Sequence, residues 1–139
     1  MKEPHPDHYP KAALVTGAGR RIGRALALDL AAQGYAVAVH YHESEAAAAE
    51  VAAEIRAGGG TAALVRADLA REGESATLVE RACRLVGPLG LLVNNASVFS
   101  YDDVESATRE SWDEHLEPNL RAPLVLCQGF SRQLPSGSR

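Results

Sequence analysis

The feature that most constrains this chain is a repeated alternation of short apolar runs and longer amphipathic stretches, joined at glycines. The first apolar run, AALVT at residues 12–16, ends in glycine, which is typical of a strand buried on both faces of a parallel sheet. After this run, Ile22, Leu26 and Leu30 recur at helical spacing, and the helix is expected to end at Gly34. The pattern predicts a strand, a glycine turn and a helix.

The same alternation continues along the chain. We predict further strands at residues 36–41, 61–66 and 89–93, and helices at residues 44–57, before Gly87 and at about 110–134. Pro118 and Pro123 should delay or kink the last helix, whose apolar stripe is formed by Trp112, Leu116, Leu120, Leu124 and Cys127. The order predicts an α/β fold with a Rossmann-type doubly wound parallel sheet, in the strand order 3-2-1-4.

Composition excludes several classes of protein. The chain has 139 residues, 46% of them apolar, and a net charge of −4, which suits one packed domain and disfavours binding to nucleic acid or anionic membranes. Cys83 and Cys127 stand far apart without a metal-ligand pattern, so we expect no metal site. We expect residues 1–10 to form a flexible Pro-rich arm, residues 11–139 to form the domain, and the protein to be cytoplasmic.

The turn after the first strand reads TGAGRRIG at residues 16–23. Gly17, Gly19 and Gly23 allow a sharp turn and a close approach of the backbone to a ligand, while the amides at the start of a helix attract anions. We therefore predict a dinucleotide phosphate site that includes Arg21 and Ile22. An ordinary glycine-rich turn between a strand and a helix is the alternative.

This turn resembles the TGxxxGxG turn of the short-chain dehydrogenases/reductases, with Arg21 in place of the middle glycine as in the pteridine reductase branch. Three more matches follow in order, at residues 40–42 (HYH), 68–69 (DL) and 94–97 (NNAS). The resemblance extends from Lys11 to the end of the chain. It implies an oxidoreductase that transfers a hydride from NADPH to a C=N or C=O group of a planar, pterin-like substrate.

The resemblance also implies NADP(H) as the cofactor. NAD enzymes carry an acidic residue where the second strand ends, to bind the ribose 2′-hydroxyl, and this chain has none there. Arg21 is expected to supply positive charge for the 2′-phosphate, with His42 and Ser44 as further donors, whereas Arg20 is expected to be solvated. Glu43 departs from the pattern, because the branch tends to have a basic residue at this position.

Other cofactor and substrate contacts follow from the same resemblance. Asp68 and Leu69 are expected to contact the adenine, with a helix N-cap as the alternative role of Asp68. Asn94 is expected to tie strands together. Contacts to the nicotinamide side of the cofactor are expected from Asn95, Ala96 and Ser97. Phe99, together with Ser97, is expected to bind the planar substrate, unless Phe99 fills a gap in the core.

The catalytic pair of the family is a tyrosine with a lysine four residues later, and this sequence contains none, since its only lysines are Lys2 and Lys11. Asn119 is expected to hold the water that connects the catalytic lysine to solvent, with a satisfied packing amide as the alternative. We therefore expect a fragment cut before the fifth strand, inactive alone, of an enzyme that is a homo-oligomer, a dimer or tetramer. A non-catalytic dinucleotide-binding or dimerising module is the alternative function.

Overall fold

The computed structural model describes residues 9–135, so the expected arm at residues 1–10 lies almost wholly outside the described residues. The strands and helices alternate as predicted. They are β1 (Ala12–Val15), α1 (Arg21–Ala32), β2 (Ala36–Tyr41), α2 (Glu45–Ala57), β3 (Ala62–Arg66), α3 (Glu72–Val86), β4 (Leu91–Val93), α4 (Arg109–Leu116), a π-helical turn (Glu117–Arg121) and α5 (Ala122–Gln133).

The four strands form one parallel sheet in the order β3-β2-β1-β4, which confirms the predicted strand order and the Rossmann-type fold. Side chains of β1 alternate between the two faces, as the two-residue repeat of a strand requires. Leu14 packs in a core with α3 and α5, and Val15 packs in a second core with α1 and α2. The carboxyl ends of all four strands therefore meet at one edge, where ligands bind in sheets of this kind.

The buried faces of two helices differ from the stripes of large apolar residues in the sequence. Helix α1 buries Gly23 and Ala27, while the Ile22 side chain is 70% exposed. Helix α5 buries Ala122, Val125 and Leu126, so the predicted stripe of the last helix is wrong. In α1 the buried residues are small, which lets the helix backbone lie close to its neighbour.

The last helix is continuous from Arg109 to Gln133, but its middle is a π-helical turn. Pro118 and Pro123 lack amide hydrogens, so neither can donate to the carbonyl four residues earlier. The Ala122 N–H bonds to the Glu117 carbonyl instead, five residues back. The prolines thus coincide with a local widening of the helix, while the helix begins at Arg109 and is not delayed.

None of the helices within residues 9–135 is both long and apolar enough to cross a lipid bilayer. Over the same part of the chain, no three histidine, cysteine or acidic side chains stand close enough together to hold a metal ion.

Candidate functional site

The turn between β1 and α1 lies at the carboxyl edge of the sheet and has two residues in the left-handed region. Gly17 has a φ of 61° and Arg21 a φ of 49°. Glycine adopts this conformation freely, but arginine pays on the order of 1 kcal/mol for it. Strained residues of this kind gather at functional sites, which makes the Arg21 position a candidate for ligand contact.

Strand β4 and the residues that follow it in the chain contact the turn on one side. The Thr16 hydroxyl oxygen accepts hydrogen bonds from the amides of Asn95 and Ala96, both at 2.9 Å. The Asn95 side-chain amide in turn donates to the carbonyls of Thr16, at 2.8 Å, and Gly17, at 3.2 Å. These bonds join the ends of the two central strands, so the sheet positions the turn directly.

The asparagine that ties the strands is therefore Asn95, and the prediction that Asn94 does so is wrong. Asn94 is exposed, and its side-chain amide approaches only the Cys127 sulfur, at 3.6 Å. The two residues follow one another where β4 ends, so their side chains leave on opposite sides of the chain. A motif of two adjacent asparagines gives no information about which of them faces the turn.

Strand β2 holds the turn from the other side through His40, which is 2% exposed. The Gly17 amide donates to His40 Nδ1 at 3.0 Å, so Nε2 carries the proton and donates to the Ala67 carbonyl, also at 3.0 Å. Burial lowers the pKa of His40 to about 4, against an ordinary value of 6.5, so the ring is neutral at physiological pH. No role was predicted for His40 itself from the sequence, although a histidine within an apolar strand indicates a polar side chain that needs hydrogen-bond partners in the core.

A first recess, of about 260 Å³, lies between the turn and the start of α2. Its lining consists of Gly17, Gly19, Arg20, His40, Tyr41, His42, Glu43 and Ser44. Ser44 precedes α2 in the N-cap position, and its hydroxyl makes no capping bond. A helix N-terminus, a hydroxyl and an arginine thus surround a space open to an anion, with the Glu43 carboxylate on its rim.

The two arginines of the turn line the recesses differently. Arg20 is exposed, as expected, and it also lines the first recess, whereas Arg21 does not. Arg21 lines a larger recess, of about 580 Å³, on the other side of the turn. Its other lining residues are Gly17, Arg20, Ile22, Gly23, Asn95, Ala96 and Ser97.

A further recess, of about 540 Å³, adjoins the first one at His42 and Glu43 and contains Asp68 and Leu69. The Asp68 carboxylate accepts from the Ala70 amide at 3.0 Å and lies 3.3 Å from Arg71 Nε. The N-cap residue of α3 is Arg71, so the alternative role of Asp68 as the cap is wrong. Ala96 and Ser97 also line this recess, so it meets both other recesses at the turn.

Two predicted residues lie beyond the turn. The Phe99 ring is 83% exposed and stands edge-on to the His115 ring, at 6.1 Å between centroids, so it fills no gap in the described core. The Asn119 side chain accepts from the Val98 amide at 2.8 Å and donates to the Val98 carbonyl at 2.7 Å. Its amide is thus a satisfied packing contact, and its role in holding a water stays a prediction.

Comparison with known proteins gives one family. A family model described as short chain dehydrogenase matches residues 11–139. A hydroxynaphthalene reductase-like protein, Arp2, of Metarhizium robertsii is 37% identical over 129 residues, which is 93% of this chain and 48% of the relative. The chain spans about half the length of the curated relatives it matches.

Solved structures give the same result. FolM alternative dihydrofolate reductase 1 of Brucella canis, complexed with NADP, is 40% identical with a TM-score of 0.85, over 91% of this chain and 50% of that one. The angucycline C-6 ketoreductase LanV with bound NADP is 41% identical with a TM-score of 0.83, over 91% of this chain and 52% of that one. Both of these structures are of reductases and contain NADP.

Proposed function

The chain belongs to the short-chain dehydrogenase family, and from that premise we propose that it forms the NADP(H)-binding half of a reductase acting on a planar substrate. The observation that carries the proposal is the set of three adjoining recesses around one glycine turn, with an arginine and an uncapped helix N-terminus in the first of them. Adjoining spaces of this kind suit the separate parts of one dinucleotide.

The recesses allow each part of the cofactor to be assigned. Asp68 and Leu69 bind the adenine, and Arg20, His42 and Ser44 bind the 2′-phosphate. The pyrophosphate lies over the amides of the glycine turn, with Arg21 beside it. The nicotinamide-side ribose lies against residues 95–97, where small side chains leave room. The residues present therefore fit the cofactor, with Glu43 as the one opposing charge in the first recess.

In this proposal the nicotinamide, when bound, supplies the hydride, and the described residues bind and orient it. The proton comes from a tyrosine, whose ordinary pKa near 10 requires a neighbouring cation for work at neutral pH. Tyr9, Tyr35, Tyr41 and Tyr101 have no lysine four residues later. We therefore place the tyrosine and lysine of the reaction in residues beyond Arg139.

The water-holding role expected of Asn119 suits its backbone carbonyl better than its side chain. Its side chain is bound to Val98, while the residue four positions later is Pro123, which has no amide hydrogen to give to the Asn119 carbonyl. We propose that this carbonyl, rather than the side chain, holds the water that leads to the catalytic lysine.

The proposed substrate has a flat ring with a C=N or C=O group, of the dihydropterin or aromatic ketone type. Phe99 offers an exposed ring face beside the recess that contains Ser97, and flat rings stack on such faces. The names of the relatives support a flat substrate, since they refer to a dihydrofolate, a hydroxynaphthalene and an angucycline.

The second candidate function is a dinucleotide-binding module without catalysis. The test is oxidation of NADPH by the purified full-length protein, with a 7,8-dihydropterin or a bicyclic aromatic ketone as substrate. Turnover of either substrate is expected. Tight NADPH binding without turnover of any ring substrate would favour the module.

Replacing Arg20 by alanine is expected to raise the Kd for NADPH about 10-fold to 30-fold more than the Kd for NADH, although Arg20 also lines the recess assigned to the pyrophosphate that both nucleotides share. The reason is that only NADPH carries the 2′-phosphate, and a charged hydrogen bond to phosphate contributes about 1.5–2 kcal/mol. Fluorescence titration with both nucleotides measures this. The matched control is Arg24→Ala, one turn further along α1, where the arginine pairs with Glu54 and should affect neither nucleotide.

The variant Arg21→Gly distinguishes the role of Arg21 from that of Arg20. Glycine relieves the strained backbone at this position, and the lost cation faces the pyrophosphate recess. NADPH and NADH share the pyrophosphate, so both should bind more weakly by a similar factor. A loss confined to NADPH in Arg21→Gly, with Arg20→Ala unaffected, would reverse the assignment.

A further inference from the structure

His40 is the one ionisable side chain that is buried in the part of the chain the structure describes, where the other buried polar residues are Thr16 and Ser75. It occupies the next-to-last position of β2, between Val39 and Tyr41. A polar ring at such a position costs free energy unless both nitrogens are hydrogen-bonded. Both are bonded here, and neither bond is part of the regular pairing between strands.

The two bonds of the ring connect separate parts of the cofactor site. Nδ1 accepts from the amide of Gly17, in the phosphate turn, and Nε2 donates to the carbonyl of Ala67, which directly precedes Asp68. The backbone adds a third link, since the Ala18 amide donates to the His40 carbonyl at 2.9 Å. The imidazole therefore bridges the phosphate-binding and adenine-binding segments across the width of β2.

The bond to Gly17 also limits what this amide can do. Gly17 is held with a φ of 61°, and its single N–H is given to the ring nitrogen. That amide is not available to a phosphate oxygen, so the turn binds phosphate through the amides that follow it. Without the ring acceptor, the half-buried Gly17 amide would lose its partner, and other conformations of the turn would become populated.

We propose that His40 is a positioning residue of the dinucleotide site, whose neutral ring fixes the phosphate turn relative to the adenine segment. This inference rests on the proposed cofactor function and extends it to a residue whose two ring nitrogens both bond to the protein backbone. Because the ring orders features that both nucleotides share, its loss weakens NADPH and NADH alike. The ratio of their affinities stays unchanged, in contrast to Arg20→Ala.

The test compares His40→Asn with His40→Leu in the full-length protein. The asparagine amide oxygen can still accept from Gly17 in the place of Nδ1, although the bond to Ala67 is lost, whereas leucine has similar bulk and no polar atom. We expect His40→Leu to raise the Kd for both nucleotides about tenfold or more, and His40→Asn to stay within about threefold of the parent. The matched control is Val39→Ala, which creates a cavity in the same strand and should lower the Tm without changing either Kd.

Nitrogen NMR provides a readout that needs no cofactor and no variant. At neutral pH the His40 ring should show an unprotonated Nδ1 and a protonated Nε2, and the Gly17 amide should be protected from exchange. The opposite tautomer, or nucleotide affinity in His40→Leu equal to the parent, would overturn the inference even if the leucine variant folds poorly. Failure of the parent protein to bind either nucleotide would instead overturn the proposed function, and the Gly17 amide would still report on the turn.

Discussion

Alanine at position 23 is expected to abolish nucleotide binding and to lower the free energy of unfolding by about 3 kcal/mol. A β-carbon at this position would overlap the Gly17 carbonyl oxygen and lie 2.5 Å from the Asn95 side-chain nitrogen. Both atoms belong to the bonds that join β1 and β4, so neither can move cheaply. The expected result is loss of NADPH fluorescence enhancement and an earlier midpoint in urea.

Gly73 provides the matched control for this prediction. It lies in α3, and a β-carbon there would meet nothing within 4 Å. Because Gly73 is the second residue of α3, Gly73→Ala should stabilise the protein by less than the roughly 1 kcal/mol difference of a helix interior, and leave nucleotide binding intact. Retention of nucleotide binding by Gly23→Ala would contradict the close contact of helix α1 with the phosphate turn.

Acid is expected to destabilise the protein well above the pH at which carboxylates titrate. Burial lowers the pKa of His40 to about 4 from an ordinary value of 6.5, and the neighbouring His42 and Arg81 act in the same direction, against the hydrogen bond to Ala67. Between these two pH values the unfolded chain binds the proton and the folded protein does not. The free energy of unfolding therefore falls as the pH falls through this window, by about 3 kcal/mol in all and about 2 kcal/mol between pH 7 and pH 5.

Urea unfolding at several pH values measures this dependence, and His40→Asn isolates its source. Asparagine does not titrate, so the variant should lose most of the slope between pH 4 and pH 6.5. Glu72, Asp103 and His115 titrate in both proteins, so the difference between the two curves reports on His40 alone. Equal slopes for the parent and the variant would show that the ring is not held neutral.

The fold was predictable from the sequence because its signals are local. Short apolar runs located all four strands, and helix α2 buries Ala48, Val51, Ala52 and Ile55, which recur at helical spacing in the sequence. The stripe of the last helix failed because large apolar residues such as Leu120 and Leu124 are 65% and 51% exposed. The spacing of apolar residues predicts that a helix forms. Which side of that helix is buried depends on how closely the neighbouring elements can approach its backbone.

The site was predictable as a set of segments and less so as individual side chains. The motifs placed the turn, the end of β2, Asp68 and residues 94–97 at one edge of the sheet, where the structure also has them. Within adjacent pairs the choice depends on backbone geometry that a motif does not contain. The positive φ of Arg21 and the exposed side chain of Asn94 are examples of such geometry, which a motif does not contain.

The most direct test of the central claim is titration of the purified protein with NADPH and NADH under the same conditions. The three recesses and Arg20 predict that NADPH binds with a Kd at least about tenfold lower than that of NADH, which corresponds to about 1.4 kcal/mol. Binding of neither nucleotide, or tighter binding of NADH, would contradict the assignment of this chain as an NADP(H)-binding half of a reductase.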